Sequence, residues 1–281
     1  MGDVLAGFHA AWEFESNSVL IRYERGIRTP KLFQALGERR IPLDAIEGVT
    51  LTPGRRGTVV LRVEPRPGAD PLMEAAAGQL RESSDPYRLV LPAERETLAE
   101  YYADELRDRL TESGPAERHL VAAPEAPRQF KAYDGKAVFD GTSVAFRWFW
   151  TGASSAKWKA GDQRFAIGEL SGVEWRSPEV FEGHLRLLRR DAGAPPAQAD
   201  QDPAAVVFGL GYGPVHESLP FAAAVLAAVR TCAPVPAVAA APRRDPADIA
   251  ERIRHLGELH QAGLVTDEEF SVKKAELLAE L

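Results

Sequence analysis

The chain aligns with itself. Phe14-Glu15-Ser16-Asn17-Ser18-Val19-Leu20-Ile21-Arg22-Tyr23 lies over Phe139-Asp140-Gly141-Thr142-Ser143-Val144-Ala145-Phe146-Arg147-Trp148 at a constant offset of 125, with Phe14/Phe139, Ser18/Ser143, Val19/Val144 and Arg22/Arg147 identical. A second block, Arg40-Ile41-Pro42-Leu43-Asp44-Ala45-Ile46-Glu47-Gly48-Val49, lies over Arg164-Phe165-Ala166-Ile167-Gly168-Glu169-Leu170-Ser171-Gly172-Val173 at an offset of 124. The same offset pairs Leu61-Arg62-Val63 with Leu185-Arg186-Leu187. Matches in one order at nearly one offset mean two copies of one module, separated by a single deletion between the blocks.

Each copy reads as antiparallel strands followed by a helix. Trp12, Phe14, Val19, Ile21 and Tyr23 alternate with polar residues, as half-buried strands do. Ser16-Asn17 and Gly141-Thr142 are the hairpin turns. Residues 46–51 and 58–63 read as further strands, with Pro53 to Gly57 as their turn. A polar, proline-containing segment follows in each copy, 65–86 or 191–203, and then a strand, 87–91 or 205–208. The first copy closes with a helix over 94–110, striped by Leu98, Tyr101, Tyr102, Leu106 and Leu110. The second closes with a helix over 218–230, striped by Leu219, Ala222, Val225, Leu226 and Val229.

The expected fold class is therefore α+β. The pattern fits two tandem pleckstrin-homology-like modules, each a bent antiparallel sheet whose open mouth a C-terminal helix covers, followed by a short helical hairpin. Paired α+β sandwiches of another topology remain the alternative. The expected boundaries are a first repeat over 1–112, a linker over 113–129, a second repeat over 130–232, a Pro/Ala-rich linker over 233–244 and a hairpin over 245–281. Neither linker reads as part of a core.

The hairpin has the sharpest local grammar. Asp245 caps a helix that opens on Pro246, and Ile249, Ile253, Leu256 and Leu259 form one stripe. Gly263 suits the C-terminal left-handed position. Thr266-Asp267-Glu268-Glu269 is a capping box with Val265 and Phe270 as its staple, and Phe270, Leu277 and Leu281 make the second stripe. So small a unit buries too little apolar area to stand alone, which makes Ile249, Ile253, Leu256, Leu259, Phe270, Leu277 and Leu281 the candidate face for self-association or a partner.

Two resemblances follow from these residues. Asp248-Ile249-Ala250-Glu251-Arg252-Ile253, Leu256, Leu259-His260, Ala262-Gly263-Leu264-Val265-Thr266, Glu268-Glu269-Phe270, Lys273-Lys274 and Leu277-Leu278 resemble the SHOCT family of short C-terminal domains of bacterial proteins. The tandem copies, through Phe14/Phe139 and Gly48-Val49/Gly172-Val173, resemble an actinobacterial domain of unknown function numbered 4429. The resemblance implies a tail that supports oligomerisation or attachment, and brings no catalytic residue.

Composition narrows the function classes. Across 281 residues the net charge is −7 and the pI about 5.5, so no global positive field draws nucleic acid. Cys232 is the one cysteine, which excludes an intramolecular disulfide and a multi-cysteine zinc site. The Met1-Gly2-Asp3 start lacks the charge and apolar core of a secretion signal, so a cytoplasmic location is expected. Arginine outnumbers lysine 27 to 7, a bias of high-GC bacterial coding.

Catalytic grammar is weak. His9, His119, His184, His216, His255 and His260 form no HExxH motif, and His255 and His260 do not share a helix face. In Gly209-Leu210-Gly211-Tyr212-Gly213-Pro214 a proline stands where a phosphate loop needs its third glycine, so a strand-to-helix turn is the reading. Cys232 reads as a buried or incidental thiol. No catalytic, metal or cofactor residue is assigned, and no enzyme activity is expected.

The segment after the first hairpin of each copy is the least core-like. Basic residues interleave there with aromatics, and Arg25, Arg28, Lys31, Arg39, Lys157 and Lys159 are the candidates for contact with an anionic surface. The bland reading puts Trp148 and Trp150 in the core and leaves the cations as a solvated rim, which the burial preference of tryptophan favours. The expected function is a non-enzymatic intracellular interaction or scaffold protein with a protein or self partner. Peripheral binding at the inner membrane face is the alternative.

Overall fold

A computed structural model describes residues 3–190, 193–209, 215–232, 266, 270 and 271. The glycine-rich turn after Gly209, the Pro/Ala-rich linker and nearly all of the hairpin lie outside the described residues. Chain contacts divide the protein into one unit over 1–233 and a second over 234–281.

The first repeat runs β1 (Asp3–Ala6), β2 (Ala10–Phe14), β3 (Ser18–Tyr23), α1 (Lys31–Leu36), β4 (Glu38–Pro42), β5 (Ile46–Pro53), β6 (Thr58–Pro65), α2 (Pro71–Ala76), β7 (Arg88–Pro92) and α3 (Glu96–Arg109). The second runs β8 (Arg128–Lys131), β9 (Gly135–Phe139), β10 (Ser143–Trp148), α4 (Ser155–Ala160), β11 (Gln163–Ala166), β12 (Leu170–Arg176), β13 (His184–Arg189), β14 (Ala205–Val207) and α5 (Val215–Cys232). Each repeat holds a four-stranded antiparallel meander, β1-β2-β3-β4 or β8-β9-β10-β11, and a three-stranded one, β5-β6-β7 or β12-β13-β14. A helix then packs on the sheets. The protein is α+β, with its antiparallel sheets in two halves.

Over its matched blocks the sequence repeat is a structural repeat. β2/β9 and β3/β10 keep the offset of 125, and α1/α4 already have 124. The deletion therefore falls in the loop over 24–30 against 149–154. Both three-stranded sheets carry a bulge at the shared glycine, Gly48 or Gly172. Ser18 donates to Glu15 and Ser143 to Asp140, and Arg40 or Arg164 pairs with that carboxylate. Identity across the copies thus marks one repeated hairpin corner.

Three expectations change. On α3 the buried face is Ala99, Tyr102, Ala103 and Leu106, while Leu98 and Tyr101 are 44% and 59% exposed. Small alanines let the helix approach the sheet, and Tyr102 stacks on Phe14 at 4.2 Å between ring centroids. The expected stripe followed side-chain size rather than that approach. Within 65–86, read as a polar, proline-containing segment, lies α2: Asp70 Oδ1 accepts from the Leu72 N–H at 2.8 Å and Pro71 opens the helix. Finally, the segment over 113–129 is not free of the core. Val121 is buried, and the Leu120 and Val121 N–H groups both donate to the Ala69 carbonyl.

Helix α5 explains why the two repeats form one unit. Residues 218–225 are buried without interruption, which a helix lying on one sheet alone would not show. One side covers β12 and β8 of its own repeat; α1 and α2 of the first repeat cover another. Leu32, Leu72, Ala75 and Ala76 of the first repeat therefore belong to the core of the second. Polar contacts seal the seam. Gln79 Nε2 donates to the Trp175 carbonyl, the Ser177 N–H donates to Gln79 Oε1, both at 2.9 Å, and Arg81 pairs with Glu179.

Candidate functional site

The loops after β3 and β10 keep an apolar side chain in solvent. In the first repeat Ile27 is fully exposed at the tip of 24–30, with Arg25, Arg28 and Lys31 exposed around it. In the second, Trp150 and Trp158 are 80% and 51% exposed and meet edge-to-face at 5.3 Å, with Arg147 and Lys159 exposed nearby in sequence. Trp148 is buried, as strand alternation required, but Trp150 lies beyond the end of β10 and is not.

This loop is held from below. A Cβ on Gly152 would stand 2.3 Å from the Tyr133 carbonyl oxygen, so only glycine fits that approach. The Phe149 N–H donates to the Asp134 carbonyl at 2.9 Å, and Trp148 Nε1 donates to the Gly161 carbonyl at 2.7 Å. Ser154 caps α4. Trp150 is thus displayed by a packed base rather than left on a loose end.

Two of the six candidate cations are removed from any surface role. Lys157 is fully buried: its Nζ lies 2.5 Å from Asp134 Oδ2 and 5.0 Å from the Trp148 ring centroid. Asp134 Oδ1 also accepts from the Val207 N–H. Burial, the largest cause for both groups, pushes the Asp134 carboxyl up and the Lys157 ammonium down, and each partner's charge pulls the other back. Arg39 is equally buried. It donates to Asp70 at 2.7 Å and to Tyr87 Oη at 3.2 Å, while Tyr87 Oη donates to Asp70 Oδ2 at 2.6 Å. Burial alone would lower the Arg39 value, but Tyr87 and Asp70 outweigh it and hold the guanidinium above the ordinary range.

The internal alignment carried the missing signal. At an offset of 124 Lys157 stands opposite Phe33 and Arg39 opposite Gln163, and Phe33 is a core residue. Arg39 on β4 and Lys157 on α4 are thus buried from different positions of the repeat and with different counterions. Arg25, Arg28, Lys31 and Lys159 remain on the surface.

A second repeated constellation escaped sequence reading. Arg62 Nε lies 3.0 Å from Asp85 Oδ2, and Arg186 Nε 3.0 Å from Asp202 Oδ2. Asp85 Oδ1 accepts from the Tyr87 N–H, as Asp202 Oδ1 does from the Ala204 N–H. The shared Asp-Pro dipeptides, Asp85-Pro86 and Asp202-Pro203, are its sequence mark.

Of the candidate tail face, Phe270 is half-buried and its N–H donates to the Thr266 carbonyl at 2.9 Å. Ile249, Ile253, Leu256, Leu259, Leu277 and Leu281 lie outside the described residues. Cys232 is exposed at the end of α5, where burial had been one reading. Among the described residues no group of three or more His, Cys, Asp or Glu side chains is placed to hold a metal ion, and no helix is long and apolar enough to cross a membrane.

These features define a tandem-repeat α+β protein with an added C-terminal segment. The chain belongs to the family described as a domain of unknown function, DUF4429, whose model matches it twice, over residues 12–107 and 137–226. Residues 251–278 match the short C-terminal domain, SHOCT. A comparison with curated proteins gave no match.

Proposed function

We propose that the protein is a non-enzymatic, cytoplasmic interaction or scaffold protein. Its body is a fused pair of pleckstrin-homology-like modules, and its tail is an attachment or self-association device. The fold part of this reading rests on the order of elements: in both repeats a four-stranded meander precedes a three-stranded one, and a helix follows. The observation that carries the function is the Trp150–Trp158 pair. Exposing one tryptophan by 80% on a packed base forgoes the stabilisation its burial would bring, and such rings are the usual anchors of protein contacts. The tail contributes through its apolar stripes, Ile249 to Leu259 and Phe270 to Leu281.

Light scattering on the full chain and on a chain ending at Pro242 tests the tail: the expected result is an oligomer that becomes a monomer on truncation. A monomer in both cases removes self-association from the reading. For the body, Trp150→Ala with Trp158→Ala is expected to abolish capture of a protein partner without lowering the melting temperature.

A second reading is favoured by the exposed cations Arg25, Arg28, Lys31 and Lys159 beside Ile27 and Trp150. They suit an anionic membrane surface, where each cation contributes about 1 kcal/mol. Co-sedimentation with phosphatidylserine vesicles that weakens as salt rises supports that reading, and no pelleting at low salt ends it.

A further inference from the structure

The two repeats differ where β7 and β14 begin. The Val63 N–H donates to the Tyr87 carbonyl and the Leu187 N–H to the Ala204 carbonyl, so Tyr87 and Ala204 are twins, each two residues past its repeat's Asp-Pro aspartate. The Tyr87 ring is fully buried, and its hydroxyl joins Arg39 and Asp70. In the second repeat every part of that arrangement is missing. Alanine replaces the tyrosine and Gln163 replaces Arg39. The connection before the aspartate, 190–201 against 66–84, is seven residues shorter, and its described residues hold no counterpart of Asp70 or α2.

What remains is a cavity of about 640 Å³, lined by Phe165, Leu187, Pro195, Pro196, Gln163 and Ala204 among others. That volume lies in the range of small-molecule sites, about 300–1,000 Å³. Phe165, Leu187 and the two prolines are its apolar lining, with Arg189 and Asp202 beside them. Gln163, opposite Arg39 in the alignment, donates its Nε2 to the Ala160 and Gly161 carbonyls, so its Oε1 is the acceptor it can offer a hydroxyl.

We propose that this cavity binds a phenolic ring, which takes the place in the second repeat that Tyr87 takes in the first. The ring would lie over Phe165 and Leu187 with its hydroxyl toward Gln163. The ligand is a free phenol or a tyrosine presented by another chain, and the chemistry recognised is the same.

The test is a titration of the full chain, carrying labelled leucine, valine and alanine methyls, with p-cresol and with N-acetyl-tyrosinamide. Saturable shifts at Leu187, Leu188 and Ala204, with Val63 unmoved, are expected. Equal occupancy by both probes marks a free phenol as the ligand, and preference for the second marks a tyrosine of a chain. Ala204→Tyr fills the cavity from within: its melting temperature should rise and its occupancy by either probe should fall at least tenfold. Shifts that are absent, do not saturate or map elsewhere in the wild-type chain overturn the proposal, whether or not the variant folds. So does undiminished binding by a folded Ala204→Tyr protein.

Discussion

At the scale of single residues, buried charge is where this protein commits itself. Lys157 and Asp134 satisfy one another in a region that their twins Phe33 and His9 fill differently. Removing one partner leaves the other charged and dry, so Lys157→Met should cost about 3–5 kcal/mol in urea denaturation. Adding Asp134→Asn should recover most of that loss, because an amide oxygen still accepts from Val207 without burying charge. The deficit of the single variant should also shrink as pH falls. Without Lys157, burial is opposed only by backbone N–H groups such as Val207 and raises the native pKa of Asp134 further, so the native state then holds a proton that the unfolded chain releases. Glu74 has the opposite sign. Burial opposes its ionisation, but the His119 hydrogen bond and the Arg230 charge outweigh it and hold the carboxyl below the usual glutamate value. Its contribution is complete above the unfolded value near ~4.3 and is lost as pH falls through the lower native one. Glu74→Gln should therefore flatten the acid limb of stability, by no more than about 1 kcal/mol at this half-exposed site, with urea midpoints at pH 7 and pH 3.5 as the measure.

At the scale of elements, the repeat made the strands and the closing helices legible but not α2, the helix of the first repeat that packs on α5. Phe14/Phe139 and Ser18/Ser143 gave the hairpins, because alternation is a local property and each strand shows both of its faces within a few residues. Helix α2 has six residues, one turn and a half, too few for a periodic stripe. Its Asp70-Pro71 opening was readable, but its partner α5 lies about 150 residues away, and no local pattern announces a contact of that range. The exposed Leu98 and Tyr101 on α3 make the same point: the larger side chains attracted the stripe, and the alanines made the contact. Leu72→Ala at this seam should cost about 2–5 kcal/mol, as for other core truncations. Gln79→Ala should cost about 1–3 kcal/mol, because it leaves the Trp175 carbonyl and the Ser177 N–H without their partner. Denaturant unfolding of the 1–233 chain reads both.

At the scale of the whole molecule, residues 1–233 should unfold as one cooperative unit, with a single calorimetric transition and matching van't Hoff enthalpy. Residues 1–112 alone expose Leu32, Leu72, Ala75 and Ala76, so that fragment should self-associate or bind a hydrophobic dye, with size-exclusion chromatography as the check. The sequence by itself determined that there are two copies, where their hairpins turn, which strand faces are apolar and that a helix closes each copy. These are properties of short stretches, repeated or periodic enough to be read twice. Only the tertiary structure decided that Lys157 and Arg39 are buried while Trp150 is not, that α5 is covered on more than one side, and that Ala204 borders a cavity where Tyr87 fills one. Each of those outcomes depends on which distant surface comes to lie against a residue. A side chain's own chemistry sets what its burial costs, but whether it is buried is set by neighbours the local sequence does not name.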